Sequence, residues 1–156
     1  MAEEEIKPVC RNRRAHFLYE VLETVEAGLV LVGSEVKSLR AGRANLTDSY
    51  ARVRRGEAWL VGAHIDVYPQ AGQFNHEPKR ERKLLLERRE LARLDGKLRE
   101  RGLTLIPLQI YFRGGWAKVE LALARGKRLH DKRQAIARRE TERRLRGATK
   151  RRVRGR

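Results

Sequence analysis

The last 31 residues of this 156-residue chain constrain its fold more than any other stretch. From Gly126 to Arg156 there are 14 Lys and Arg against three acids, Asp131, Glu140 and Glu142. Ile136, Ala137 and Leu145 are almost the only apolar side chains after Leu129. Such a segment has no face to bury, so nothing offsets the entropy lost on ordering it. Glu140 to Arg144 and Glu142 to Arg146 are i,i+4 pairs of the favourable polarity, each worth a few tenths of a kcal/mol, and like-charge pairs such as Arg139–Arg143 oppose them. We expect residues 126–156 to be a tail, disordered in isolation and helical once phosphates neutralise it. Whatever folds on its own lies before Gly126.

That body carries the remaining 23 basic and 17 acidic residues. It is long enough for one domain with a real core, since domains of about 150 residues bury roughly two-thirds of their unfolded surface. We read residues 1–11 as a flexible N-terminus and 12–125 as the domain. Strand-like runs dominate it. Tyr19 to Val25 and Leu29 to Val32 are joined by Glu26-Ala27-Gly28, which reads as a hairpin turn. Ser49 to Arg54 and Ala58 to Val67 flank Arg55-Gly56-Glu57, and Leu103 to Phe112 and Trp116 to Ala124 flank Arg113-Gly114-Gly115. Trp59, Val61, Ala63 and Ile65 alternate with Leu60, Gly62, His64 and Asp66, the period of a half-buried strand. Six strands in three hairpins predict a small closed barrel or sandwich.

Two helices interrupt them. Ser34 is placed to cap the first, with Glu35 against its positive end and Gly42 ending it; Val36 and Leu39 face inward, and Lys37, Arg40 and Arg43 outward. The second spans about Pro78 to Arg101 on Leu84, Leu91, Leu94 and Leu98, although Leu84-Leu85-Leu86 reads equally as extended chain, and Gly96 is a candidate break. Gly72 to Pro78 reads as an exposed loop.

The net charge of +17 makes a polyanionic partner the natural expectation, nucleic acid before membrane. The single cysteine, Cys10, excludes an internal disulfide and fits a reducing cytosol. Met1-Ala2-Glu3-Glu4-Glu5 lacks the features of a signal peptide, and no apolar run approaches the ~20 residues that span a bilayer. We therefore expect a cytoplasmic protein. His16, His64, His76 and His130 lack metal-ligand spacing, and no Walker loop, nucleophile elbow or dinucleotide fingerprint occurs. Asp48 with Asp66 or Glu35 is the only arrangement with a nuclease flavour, and in a chain with 20 acids it carries little weight. No catalysis, metal or cofactor is expected. Tyr19, Tyr50, Trp59, Phe74, Tyr111 and Trp116 are candidates for stacking on bases. For Tyr50, Trp59 and Tyr111 the favoured reading is barrel core, and Phe74 is the one most expected to be exposed. On these residues alone, a structural ribosomal protein and a dedicated RNA-delivery factor stay close to even.

A set of collinear blocks breaks that tie. Asn12-Arg13-Arg14-Ala15, Glu26-Ala27-Gly28-Leu29, Gly33 through Gly42, Asn45-Leu46 and Asp48-Ser49-Tyr50-Ala51 resemble the N-terminal half of the bacterial SsrA-binding protein family, also called small protein B. Asn75-His76-Glu77-Pro78, Arg82 to Leu86, Gly102 to Leu108, Ala117-Lys118-Val119-Glu120 and His130-Asp131-Lys132-Arg133 resemble its second half in the same order. The resemblance implies an oligonucleotide-binding (OB) type barrel with peripheral helices. It implies binding of the tRNA-like domain of transfer-messenger RNA (tmRNA) and its delivery to stalled ribosomes for trans-translation. By the same resemblance Asn12, Arg13, Glu26, Leu85 and Lys118 contact tmRNA. Arg13 and Lys118 would neutralise phosphates and Leu85 would lie against an unstacked base, while Glu26 would accept from ribose hydroxyls or base amines. Gly126, Lys127, Arg128, His130, Asp131, Lys132 and Arg133, then the helix to Arg146, would enter the decoding centre and mRNA channel of the small ribosomal subunit. The chain is expected to be a monomer off RNA. Glu87 departs from the family pattern, standing where members commonly have His or Asn.

Overall fold

The computed structural model describes residues 5–100, 102–127 and 137–146. Its elements run β1 (Ile6–Arg11), α1 (Ala15–Leu18), β2 (Tyr19–Leu29), α2 (Gly33–Arg40), β3 (Ala44–Asn45), β4 (Tyr50–Arg54) and β5 (Glu57–Val61). Then come β6 (His64–Ile65), a 3-10 turn (Pro69–Phe74), β7 (Arg82–Leu85), α3 (Arg88–Leu98), β8 (Leu103–Arg113) and β9 (Trp116–Gly126). The chain divides into two compact units after Gly126. In the second unit, residues 137–146 form a helix, α4, with every residue exposed. The expected disorder of the isolated tail concerns residues that lie mostly outside those described.

All pairings of the large sheet are antiparallel, in the order β1-β8-β4-β5-β7-β2-β9, and β9 returns to pair with β8. Six strands thus close on themselves as the expected barrel, and β1 adds to it along the far half of β8, from Gln109 to Arg113. Residues 6–11 are therefore a paired strand, where the sequence suggested a flexible end. The two longest strands, β8 and β9, meet at Gly114-Gly115, where φ values of 56° and 83° build the tight turn that non-glycine residues resist. The barrel is filled by Leu60, Leu105, Ile110, Val119 and Leu121, each fully buried, together with Leu39, Leu46, Ile65 and Leu94 from outside the ring. Burial of a Leu or Ile side chain contributes about 1.5–3 kcal/mol, so this core dominates the fold's stability. A smaller cluster of Ala15, Ile106, Leu108, Ala122 and Ala124 lies under α1 on the outer face.

Three expectations are corrected. Glu26-Ala27-Gly28 is not a turn: β2 runs through it, with Glu26, Ala27 and Gly28 opposite Glu120, Val119 and Lys118. Gly28 serves close strand approach instead, because a Cβ there would stand 3.2 Å from the Cβ of Leu85 on β7. Ala58 to Val67 is not one strand either. It breaks at Gly62, whose φ is 80° and whose added Cβ would meet the Asp48 carbonyl at 3.3 Å; β6 then pairs with β3 in a separate two-stranded sheet. Finally, the long second helix is only α3, and Arg82 to Leu85 is strand. Gly96 sits within α3, whose Leu91, Leu94 and Leu98 pack on the core.

The first helix begins one residue before the expected cap. Ser34 is buried and its hydroxyl meets His76 Nδ1 at 2.8 Å. The Nε2–H of His76 donates to the Ile65 carbonyl at 2.9 Å, so the ring bridges Ser34 of the helix to β6. Glu35 satisfies the Val32 N–H at 3.0 Å and also receives Arg82 Nε and Arg80 Nη2, each at 2.5 Å. Arg82 further donates to the carbonyls of Ala63 and Pro78. This buried cluster ties α2, the segment around Pro78 and β7 into one unit.

Candidate nucleic-acid interface

The registers of β1, β8, β9, β2 and β7 place the proposed tmRNA residues on the outside of the barrel. Ile110, Val119 and Ala27 point into the core, so their neighbours along each strand point out. One outward row runs Arg11, Gln109, Glu120, Glu26 across four strands. The next runs Pro8, Tyr111, Lys118, Gly28, Leu85 across five. Arg113 and Trp116 stand opposite each other beyond it. Glu26, Leu85 and Lys118 are thereby brought together although 59 residues separate the first from the second.

Within this face Glu26 is held from two sides. The Tyr111 hydroxyl donates to its Oε2, and Arg113 Nη2 approaches the same oxygen at 3.0 Å. Both bonds fall on Oε2, so Oε1 can accept from a further donor. Burial and then the Glu26 hydrogen bond push the Tyr111 hydroxyl up to about 12, so it stays a donor at any physiological pH. The Arg113 guanidinium also lies over the Tyr111 ring, 5.9 Å from its centre. Beside this network Leu85 is 54% and Trp116 74% exposed. With Lys118, Gly28, Val30 and Phe112 they line a groove of about 430 Å³. An apolar groove walled by an exposed indole and edged by the Lys118 ammonium suits an unstacked base attached to its phosphate.

Asn12 and Arg13 lie at the end of β1, on the β8 side of the same surface. Asn12 has structural bonds: its Nδ2 donates to the Pro107 carbonyl at 3.0 Å and its N–H to the Leu108 carbonyl at 2.7 Å. These bonds bind the bulge that Pro107 introduces into β8. Arg13 is exposed. Neighbouring strands are about 4.8 Å apart, so β1 and β2 stand ~14 Å from each other across this face. Gly126 closes β9 opposite Tyr19, and Lys127 follows it half-buried. Arg128, His130, Asp131, Lys132 and Arg133 lie outside the described residues.

Tyr111, read as barrel core, is buried but on the outer wall beneath Glu26 and Arg113, and Phe74 is exposed as expected. Tyr50, read as core, is instead 41% exposed, because Ala51 takes the inward position opposite Leu105. Trp59 is half-buried on the outer face. Sequence reasoning had Tyr111 and Trp116 as aromatics but did not assign them, or Arg113, to the site; the alternation Ile110-Tyr111-Phe112 was the available signal. Among the described residues no group of three His, Cys, Asp or Glu could hold a metal ion. Both Glu35 oxygens are taken up by arginines, and Asp66 bonds His64 at 2.9 Å. None of the described helices is long and apolar enough to cross a membrane.

Known proteins resemble this chain along most of its length. The family model described as SmpB protein matches residues 9–151. The SsrA-binding protein of Desulforudis audaxviator is 61% identical over 145 residues, 93% of this chain and 95% of that one. Its counterpart in Syntrophobacter fumaroxidans is 58% identical over 149 residues, 96% and 92% of the two chains, and that of Gloeothece citriformis 56% over 146, 93% and 94%. A solved chain described as tmRNA-SmpB, in a journey to the center of the bacterial ribosome, superposes with a TM-score of 0.68 at 52% identity. That alignment covers 83% of this chain and 94% of the other.

Proposed function

The chain belongs to the SmpB family, and on that premise we propose that it binds the tRNA-like domain of tmRNA and carries it to stalled ribosomes for trans-translation. The observation that carries the residue assignment is the convergence of Glu26, Leu85 and Lys118, from three strands, on one outward face. Lys118 and Arg13 neutralise phosphates, and Asn12 adds its remaining hydrogen-bonding capacity. Leu85 lies against a base, and Glu26, oriented by Tyr111, accepts from a ribose hydroxyl or base amine. The barrel is then of the oligonucleotide-binding type, used from its outer wall.

The tail from Gly126 through Lys127, Arg128, His130, Asp131, Lys132 and Arg133 occupies the decoding centre, and the helical stretch to Arg146 lies along the mRNA path. A helix spans about 1.5 Å per residue, so twenty residues reach ~30 Å, a fitting length for that channel. The protein acts by binding and mimicry, with no bond made or broken by its own side chains, in the cytoplasm and as a monomer off RNA. Removing residues 127–156 tests the division of labour. Affinity for the tRNA-like domain should persist and tagging of nascent chains on stalled ribosomes should vanish; loss of both together would refute the division.

A further inference from the structure

The outward row through Lys118, Gly28 and Leu85 does not stop at β7. Trp59 of β5 pairs with Lys83 of β7 and with Arg52 of β4, and Glu57 pairs with Arg54. Two residues on from the Trp59–Lys83 pair, the same register sets Glu57 beside Leu85, so the row runs on through Glu57 to Arg54. A second outward row lies next to it. The Val30 N–H donates to the Lys83 carbonyl at 3.0 Å, and Lys83, Trp59 and Arg52 follow across three strands. Ala58 and Leu60, buried on either side of Trp59, fix which side of β5 faces out. The groove walled by Leu85, Val30 and Trp116 therefore adjoins a hollow of about 330 Å³ lined by Arg52, Arg54, Arg55, Glu57, Trp59 and Glu81.

Positive charge is left over in this hollow. Arg52 meets Glu81 at 2.6 Å and Lys83 meets Glu57 at 3.2 Å, so those four cancel. Arg54 and Arg55 are exposed, and among the described residues no ion pair engages either. Arg55 also holds a φ of 53° ahead of Gly56 at 73°, the mirror-image turn that Asn, Asp or Gly normally opens. An arginine there carries a backbone cost that no packing of its exposed side chain offsets. Two strand spacings of about 4.8 Å separate Leu85 from Arg54, a distance near one Debye length at 0.1 M salt. The phosphates flanking a base seated on Leu85 are within range of that charge.

We propose that the β4–β5 hairpin is an edge of the tmRNA face itself and grips the same tRNA-like domain. Arg54 and Arg55 meet phosphates of the strand whose base lies on Leu85, and the half-buried Trp59 gives a neighbouring ribose or base a surface. Continuity of the two rows selects the occupant, because an RNA seated on Leu85 reaches Arg54 without leaving the wall. The proposal rests on the reading of Glu26, Leu85 and Lys118 as the tmRNA site, and it widens that site from three strands to five.

The test uses the full-length chain with Arg54→Ala and Arg55→Gly together, and Arg55→Gly alone as the folding control. Arg55→Gly relieves the positive φ, so its thermal midpoint should equal or exceed that of the parent. Filter retention at one fixed salt, then over a salt series, measures binding to the tRNA-like domain and to an unrelated RNA hairpin of equal length. We expect the double variant to lose about tenfold in affinity for the tRNA-like domain and no more than about threefold for the unrelated hairpin. Its salt slope on the tRNA-like domain should be shallower by about one to two. A second readout uses Trp116→Phe, which leaves Trp59 as the only tryptophan; its emission should change as the tRNA-like domain saturates the chain. Unchanged affinity, an equal loss toward both RNAs, or a Trp59 signal that stays flat at saturation would overturn the proposal. If the parent prefers the tRNA-like domain and the double variant keeps that preference in full, the hairpin contact alone is refuted. If the parent prefers neither RNA, the tmRNA reading itself fails and takes this one with it.

Discussion

Replacing Arg82 by Met should destabilise the barrel by about 3–5 kcal/mol, the usual cost of leaving one member of a buried ion pair behind. Arg82 and Glu35 are both fully buried. The substitution strips Glu35 of its 2.5 Å partner and also leaves the Ala63 and Pro78 carbonyls without their donor. Arg80, whose side chain is 38% exposed, still reaches Glu35, which sets the loss nearer the lower end of that range. A domain of this size has about 5–15 kcal/mol in all, so the variant should stay folded at room temperature with a urea midpoint lower by roughly 2 M. Converting both residues, Glu35→Leu with Arg82→Met, should recover part of the loss, because the stranded charge goes while the orphaned carbonyls remain. The pH profile carries the same signature. Burial alone would raise the Glu35 carboxyl, but the bonds from Arg80 and the Val32 N–H and the charge of Arg82 outweigh it, so its folded value lies below the ordinary one. Its contribution is then present above the unfolded value and lost as pH falls through the folded one. Urea titrations from neutral pH down to about pH 3 would show the parent losing stability more steeply than Arg82→Met. A single-variant cost under about 1 kcal/mol, or identical acid limbs, would refute the claim that this cluster ties α2 to β7.

Other sites give sharper local tests. Tyr111→Phe deletes the donor to Glu26 and should cost about 1.5 kcal/mol, the net worth of a hydrogen bond to a charged group, with a similar loss in affinity for the tRNA-like domain. In the parent the raised Tyr111 value, about 12, makes its stabilisation complete below the unfolded value near 10 and lost as pH climbs through 12; alkaline denaturation of Tyr111→Phe should lack that step. Gly28→Val places a branched side chain where a Cβ already meets Leu85 at 3.2 Å. It should cost about 1–3 kcal/mol in denaturant titrations and displace Leu85 from the groove. Lys118→Ala should leave the thermal midpoint nearly unchanged and make the salt dependence of tmRNA binding shallower by about one unit.

What could be read in the sequence was whatever local pattern decides. Gly114-Gly115 and Arg55-Gly56 announced their hairpins because tight turns need positive φ at those positions, and the structure has it there. The alternation around Tyr111 and Val119 could have shown which side chains face out, but Tyr111 reads as core and the structure turns it to the outer wall. Gly28 misled because its reason is not local: it makes room for Leu85, a residue 57 positions later. Leu84-Leu85-Leu86 fitted a helix as well as a strand until β5 and β2 were known to bracket β7. Ser34 looked like a cap, but its hydroxyl is committed to His76, 42 residues away. At the site, Glu26, Leu85 and Lys118 could be named from family resemblance, whereas their supports, Tyr111 and Arg113, follow only from the pairing of β8 with β9 and β9 with β2.

The most direct test is a pair of gel-shift titrations of the full-length chain at one fixed salt, against the tRNA-like domain of tmRNA and against an unrelated RNA hairpin of equal length. A chain of net charge +17 binds any RNA to some degree, so the ratio matters and not either affinity alone. The account predicts at least about tenfold tighter binding to the tRNA-like domain, a margin worth about 1.4 kcal/mol, and its collapse in Glu26→Ala with Lys118→Ala. Equal affinity for the two RNAs, or a ratio untouched by those substitutions, would contradict it.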